Sequence, residues 1–286
     1  PLPKWSAGSH IDIDCGTVSR QYSLCGDPND RTTFQVAVLH DTQSRGGSRW
    51  IHTELSVGDT LRVRGPRNHF KLDPDAKRYV FVAGGIGITP ILPMIEQVEA
   101  QGAQWSLLYG GRTRAAMAFL GELERYGDKV TVRPQDEYGL LDLAGLLTEP
   151  TEDTLIYCCG PEPLLQAIEE VSAHWPVGSL VTERFAAKKI VRTEPDTAFE
   201  VEFAASGVTA TVPADTSVLE VAEANGVRVL SSCLEGTCGT CETRIVSGRA
   251  DHRDSILTDA EQEANETMMV CVSRAAKGCT KLVLDA

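Results

Sequence analysis

The sequence predicts a multidomain chain of α/β and α+β class: an antiparallel β-barrel, then a parallel α/β domain, then a small C-terminal domain. Three observations carry this. Short β-branched and aromatic runs separated by turn residues come first, a strand, helix, strand rhythm follows, and four cysteines at metal-type spacing mark the end. A chain of 286 residues exceeds the usual single-domain size, so two or three domains are expected on length alone. The boundaries are set at 1–75, 76–187 and 198–286, with 188–197 as linker.

In the first part, Ile11-Asp12-Ile13, Arg20 to Leu24, Thr33 to Leu39 and Leu61-Arg62-Val63 read as strands of a barrel. Ser48 to Leu55, after Gly46-Gly47, reads as a short helix. In the second part Tyr79 to Ala83, Trp105 to Tyr109, Val130 to Val132, Thr154 to Cys158 and Ser179 to Thr182 are strands. Helices over Ile91 to Ala100 and Pro163 to His174 separate them, the pattern of a parallel sheet covered by helices. Lys188 to Thr197 is polar, charged and Pro-containing, as linkers are. Beyond it Phe199 to Phe203 alternates as a strand, Thr209 to Val212 is its hairpin partner, and Ser217 to Ala224 is a helix.

Composition excludes several functions. Hydrophobic content of 42% with 23% charged residues is ordinary for a globular protein, and no apolar run approaches the roughly 20 residues of a spanning helix. A net charge of -13 would repel nucleic acid and anionic membranes, so neither is expected as a partner. The excess is uneven: Asp+Glu against Lys+Arg is 9 to 9 over residues 1–75, 16 to 11 over 76–194 and 15 to 7 over 195–286. An acidic last domain suits docking to a basic protein face and equally suits solubility. Nine cysteines, an odd number in a long chain, point to a reducing compartment and not to a disulfide framework.

Cys233, Cys238, Cys241 and Cys271 follow C-x4-C-x2-C with one distant cysteine, the plant-type 2Fe-2S spacing. Three thiolates on one loop wrap one side of a small cluster and the fourth closes it. Gly236 and Gly239 suit backbone that must take unusual dihedrals beside inorganic sulfide. Structural zinc, which prefers paired C-x2-C knuckles, and disulfides are the weaker alternatives. Cys15, Cys25, Cys158, Cys159 and Cys279 are assigned to no metal.

Gly84-Gly85-Ile86-Gly87-Ile88-Thr89-Pro90 ends a strand and opens a helix, a place where free N–H groups and the helix dipole meet a pyrophosphate. Pro90 suits the first helical turn. An ordinary tight turn would look similar, but Tyr157-Cys158-Cys159-Gly160-Pro161 repeats the arrangement at the same sheet edge. In the barrel, Arg20 and Tyr22 share one side of a strand and Ser23 takes the other. A guanidinium suits phosphate and a phenol a ring or polyol chain, while an exposed polar strand is the bland alternative. Gly46-Gly47-Ser48 before a helix could hold the same phosphate or be a simple cap.

With these motifs in order, the whole chain resembles the phthalate dioxygenase reductase family, the FMN reductases of Rieske-type oxygenases. The likeness rests on Arg20-Gln21-Tyr22-Ser23-Leu24, the Gly84 to Pro90 loop, Cys159-Gly160-Pro161 and the four cysteines. It implies a flavin-binding barrel, an NAD(P)H domain and a C-terminal β-grasp ferredoxin. FMN would be held by Arg20, Tyr22, Ser23, Leu24, Val38, His40, Gly46, Gly47, Ser48 and Thr89, with Phe185 of Glu183-Arg184-Phe185 covering the ring. The turn Ser44-Arg45-Gly46-Gly47-Ser48 resembles FMN members over FAD members. The nucleotide would meet Gly84, Gly85, Gly87, Thr89, Pro90, Arg112, Cys159, Gly160 and Pro161, with Arg114 near a 2'-phosphate. Ser23, Thr89 and Cys159 are the residues expected around the reacting atoms. NADH is favoured and NADPH stays open, since no acidic residue ends the strand before Arg112.

The resemblance further implies a bacterial cytoplasmic monomer that passes electrons to a terminal oxygenase. Pro1 to His10 matches a point inside the family barrel, so its opening strands are missing from this sequence, through truncation or excision from a fusion. Similar modules occur fused behind haem monooxygenases, and that reading stays open beside the Rieske one. A ferredoxin-like carrier or redox sensor, and a free flavin reductase, are the readings of other classes. Hydride transfer asks only that two rings be held about 3 to 3.5 Å apart, so no general base is nominated.

Overall fold

The computed structural model describes residues 1–286 except Gln43, Arg45 and residues 188–194. Arg45 of the expected phosphate turn and most of the expected linker therefore lie outside the described residues. The chain divides into two compact units, Pro1–Phe185 and Ala186–Ala286.

The first unit begins with β1 (His10–Cys15) and β2 (Val18–Ser23), an antiparallel hairpin, joined on its other edge by β3 (Val63–Arg67). α1 (Gly47–Thr53) lies between them in sequence. Ile11, Ile13, Cys15 and Leu24 fill the small core behind this sheet. The expected strand over Thr33 to Leu39 is a single bridge, Leu24 to Val36. Its upstream end is taken by local bonds: Thr32 N–H and Oγ1 both donate to Asp30 Oδ1, so side-chain turns displace a ladder.

The expected parallel sheet follows, in the order β6 (Val130–Pro134), β5 (Gln104–Gly111), β4 (Arg78–Gly84), β7 (Thr154–Cys159), β8 (Leu180–Glu183). α2 (Ile88–Ala100) and α3 (Glu162–Val171) follow β4 and β7. Central strands buried on both faces need continuous apolar sequence, and Tyr79-Val80-Phe81-Val82-Ala83 supplies it. Ala7, Cys25 and Phe70 share one core with Tyr79, Phe81 and Tyr157, so barrel and sheet segments pack as a single body. Tyr157 makes the seam: its buried hydroxyl receives Asp73 N–H at 2.8 Å and donates to Lys71 carbonyl at 3.1 Å.

The second unit is a mixed sheet ordered β10 (Val208–Val212), β9 (Phe199–Phe203), β15 (Lys281–Leu284), β11 (Glu242–Ser247), β13 (Thr267–Met269). β9 and β15 run parallel at its centre, with α4 (Val218–Ala224) packed on one face, the β-grasp arrangement. Ser217 starts α4 through a capping box: its Oγ accepts Glu220 N–H at 3.1 Å and Glu220 Oε2 accepts Ser217 N–H at 2.7 Å. A short ribbon, β12 (Ala250–Asp251) with β14 (Arg274–Ala275), and α5 (Asp259–Ala264) complete it. Among the described residues no helix is long and apolar enough to cross a membrane.

Replacing Tyr157 by Phe removes the acceptor of the Asp73 N–H, which on the exposed Asp73 can turn to water. The expected cost is about 0.5–1.5 kcal/mol. Urea unfolding followed by tryptophan fluorescence reads it in the first unit alone, because Trp5, Trp50, Trp105 and Trp175 all lie there.

Candidate functional site

The two glycine loops meet at the carboxyl edge of the sheet. Parallel register sets Ala83 beside Cys159, so the turns leaving β4 and β7 leave side by side. A Cβ on Gly87 would lie 2.2 Å from the Cys159 carbonyl oxygen, and one on Gly160 would lie 3.0 Å from Gly84 Cα. Glycine is required there because backbone touches backbone. Gly84 also faces Pro161, whose Cδ would be 2.7 Å from an added Cβ. Gly85, at φ +56°, turns the chain into α2, and the buried Tyr109 hydroxyl holds that turn by donating toward the Gly85 carbonyl at 3.1 Å. Thr89 is buried in the first turn of α2 with its Oγ1 on the Ile86 carbonyl at 2.9 Å, and Pro90 is buried beside it.

Ser23 and Glu183 add a polar floor. β8 register places Glu183 beside Cys159, and Ser23 lies close enough to the Glu183 carboxyl to lower its pKa slightly. The approach falls short of a formed hydrogen bond: Ser23 Oγ and Glu183 Oε2 are both buried without a partner. Glu183 is half-buried as a residue while its Oε2 is enclosed, and burial pushes its pKa up to about 8. The sequence reading passed over Glu183 because a carboxylate at a strand end looks like an ordinary solvated charge. Burial of its head is a tertiary fact. Burial also raises Cys159 well above the ordinary thiol range, with Glu183 adding to it, so this cysteine stays protonated and unreactive.

The expected phosphate residues gather on β2 and α1. A Cβ on Gly47 would lie 2.4 Å from Arg20 Cγ and 3.3 Å from the Tyr22 hydroxyl, so the start of α1 rests on both side chains. Gly46 sits at φ +107° with no side chain capping the helix, and Ser48 Oγ accepts Asp41 N–H at 3.4 Å. His40 packs tilted against His52 at 5.0 Å between centroids, and His52 Nε2 bonds the Val38 carbonyl at 2.8 Å, which draws both nominated residues to α1. Leu24 is wholly buried in the small core, so its side chain faces away from any ligand. Phe185 is 44% exposed, an apolar ring left uncovered after β8. Arg184 fixes its approach, pairing with Glu162 at 3.1 Å and Glu169 at 2.6 Å on α3. Arg112 is exposed, and Arg114 pairs with Glu137 at 3.2 Å. A flavin fits this group: Arg20 and the open helix start suit its phosphate, and the orphaned Ser23 and Glu183 atoms suit the polar edge of its ring.

In the second unit the four nominated sulfurs stand together. Cys233, Cys238 and Cys241 are buried and Cys271 is half-buried. Glu235 and Thr237 N–H groups donate to Cys233 Sγ at 3.3 and 3.4 Å, and Cys238 Sγ contacts Thr240 Oγ1 at 3.1 Å. The four thiols act on one another: the sulfurs of Cys238 and Cys271 pull the Cys233 pKa down and Cys271 does the same for Cys241, while the same contacts push Cys238 and Cys271 up. Sulfurs close enough to share protons in this way are close enough to share a cluster. Among the described residues no three His, Cys, Asp or Glu side chains are arranged for a single ion. A binuclear cluster makes no such demand, because its four thiolates are divided between two irons. Cys25 and Cys158, raised by burial to about 11 and about 12, stay protonated in the cores.

Comparison with known proteins agrees with both units. Residues 81–170 match the oxidoreductase NAD-binding domain and residues 201–276 the 2Fe-2S iron-sulfur cluster binding domain. A protein of Ectopseudomonas oleovorans named phenoxybenzoate dioxygenase subunit beta is 42% identical over 274 residues, covering 95% of this chain and 85% of its own. The crystal structure of phthalate dioxygenase reductase, described as a modular structure for electron transfer from pyridine nucleotides to [2Fe-2S], is 38% identical with a TM-score of 0.70. It covers 100% of this chain, which spans 89% of that one. An intact type IV self-sufficient cytochrome P450 monooxygenase is 57% identical with a TM-score of 0.94, again over 100% of this chain, but this chain spans only 37% of it.

Two substitutions probe the site. Gly87→Ala drives a methyl group into the Cys159 carbonyl, and KM for the nucleotide should rise at least about tenfold, a loss of about 1.4 kcal/mol, with iron content unchanged. Glu183 binds its proton near pH 8 folded and near 4.5 unfolded, so across that window the folded state holds more proton. Stability of the flavin-free protein should therefore fall as pH rises from 5 to 8, by a few kcal/mol at about 1.4 per pH unit, and Glu183→Gln should flatten that slope in urea titrations.

Proposed function

Because the chain belongs to the phthalate dioxygenase reductase family, we propose that its two polar seats work in series as the reductase of an oxygenase system. It is an oxidoreductase that passes electrons from NAD(P)H through FMN and a 2Fe-2S cluster to a partner terminal oxygenase. When bound, the flavin and the cluster convert the electron pair of the nucleotide into single electrons. The observation that carries this reading is the convergence of Ser23, Glu183 and Cys159 where the two glycine loops meet.

The chain's own part is positioning. Arg20, Gly46, Gly47 and Ser48 hold the flavin phosphate, Tyr22 lies along the flavin, and Val38 and His40 steady α1 beside them. Gly84, Gly85, Gly87, Gly160 and Pro161 let the nucleotide approach close to backbone, with Arg112 at the outer edge. Ser23, Thr89 and Cys159 would exclude water from the reacting rings, and the exposed ring of Phe185 would cover the flavin. Cys233, Cys238, Cys241 and Cys271 hold the cluster. NADH is the nucleotide, a reading supported by Arg114, whose guanidinium is engaged by Glu137. The chain acts as a monomer in the bacterial cytoplasm, a compartment supported by nine free cysteines and a bacterial relative.

The acceptor is an oxygenase of the Rieske type, supported by relatives named for dioxygenases. A haem monooxygenase is the second reading, favoured by the 57% identity to the reductase part of the cytochrome P450 protein. Anaerobic mixing of the reduced reductase with each acceptor class separates the two.

Cys238→Ala removes one thiolate from the loop. Flavin reduction by NADH should continue at the parent rate while reduction of cytochrome c falls by roughly two orders of magnitude, because no spare thiol lies on the loop. Undiminished delivery would show that electrons leave without the cluster.

A further inference from the structure

His252-Arg253-Asp254-Ser255 follows β12 and has no part in the flavin, nucleotide or cysteine motifs. The Asp254 side chain is entirely buried. Its Oδ2 accepts N–H groups from Ile256 at 3.2 Å and Leu257 at 2.8 Å, an Asx turn. Its Oδ1 is buried without a hydrogen-bond partner, 3.9 Å from His252 Nδ1. The His252 side chain is 6% exposed, and both its ring nitrogens are buried without partners. Orphaned buried atoms cost about 1–3 kcal/mol each, so three in one place call for a reason beyond packing.

The reason lies against Asp254. Gly236, between ligands Cys233 and Cys238, holds φ +68°, and a Cβ there would lie 3.0 Å from Asp254 Cα and 2.7 Å from Val272 Cγ2. Ser255 N–H donates to the Gly236 carbonyl at 2.9 Å. The loop bearing the first two ligands is therefore seated on Asp254 and Ser255. Nearby cations are turned elsewhere: Arg253 pairs with Asp196 and Asp251 at 2.6 Å each, and Arg274 bonds the Thr216 and Pro213 carbonyls. Among the described residues no Lys or Arg is paired with the Asp254 carboxylate under the loop, and His252, at 3.9 Å, faces it without a formed hydrogen bond.

We propose that Asp254, backed by His252, is a positioning residue that seats the cluster loop and holds the cluster's reduction potential down through its uncompensated carboxylate. This rests on the reading that the loop binds a 2Fe-2S cluster. A negative charge in a medium of low dielectric opposes addition of an electron nearby, and the imidazole N–H edge offsets part of it.

The test is anaerobic redox titration of the full, loaded chain, followed by electron paramagnetic resonance of the reduced cluster. Asp254→Asn keeps an acceptor for Ile256 and Leu257 and removes the charge. The cluster potential should rise by at least a tenfold shift in its reduction equilibrium, 59 mV for one electron, with the flavin potential unmoved. His252→Leu, which removes the offsetting dipole, should lower the potential by a smaller factor. A loaded Asp254→Asn protein whose potential stays within threefold of the parent overturns the proposal. Should Asp254→Asn fail to take up iron, His252→Leu decides: a fall supports the role, and no change or a rise overturns it. Absence of iron from the unsubstituted chain would instead sink the cluster reading.

Discussion

Close approach of backbone to backbone is the constraint on which both seats depend. Gly87 lies on the Cys159 carbonyl, Gly160 on Gly84, and Gly236 on Asp254, with no room for a side chain at any of the three. Such contacts give little apolar burial, so they must be imposed by stronger elements around them. In the first unit the imposing element is the β4 to β7 register, buried on both faces. In the second it is the mixed sheet behind the cysteine loop, with Val201, Phe203, Leu282 and Leu284 fully enclosed.

Much of this was legible in the sequence because it depends on local periodicity or on spacing. The Tyr79 run, the capped Ser217 helix and the four cysteines each carry their own signal, and the elements formed within a few residues of expectation. The Thr33 to Leu39 run illustrates the limit. Its β-branched residues have strand propensity, but Asp30 captures Thr32 locally, the ladder shrinks to the Leu24–Val36 bridge beside the Cys25 N–H to Gln35 carbonyl bond, and the Val38 carbonyl goes to His52. Propensity of this kind is decided by neighbours that lie far off in sequence.

The site residues divide the same way. Glycine loops announce themselves, because a ligand that needs bare backbone leaves no other residue type. Glu183, His252 and Asp254 did not, since each is of a type usually solvated and only tertiary packing encloses it. Leu24 shows the converse: it stands in the most specific barrel motif, yet its side chain belongs to the core. A motif fixes which backbone lines a site and leaves open which side chains face it.

Among the described residues, several of the polar atoms left unsatisfied in the interior stand in pairs: Ser23 with Glu183 beside the proposed flavin seat, and His252 with Asp254 beside the cluster loop, while Trp5 and Arg64 carry others in the barrel. A fold selected for stability alone would replace such groups with apolar ones of like volume at little loss. Their presence beside both proposed seats fits the electrostatics of electron transfer, where a fixed charge or dipole acts on the group it faces without reorganising. Violations of burial rules are thus a second source of functional signal, independent of the motifs, and at Ser23, Glu183, His252 and Asp254 the two sources meet.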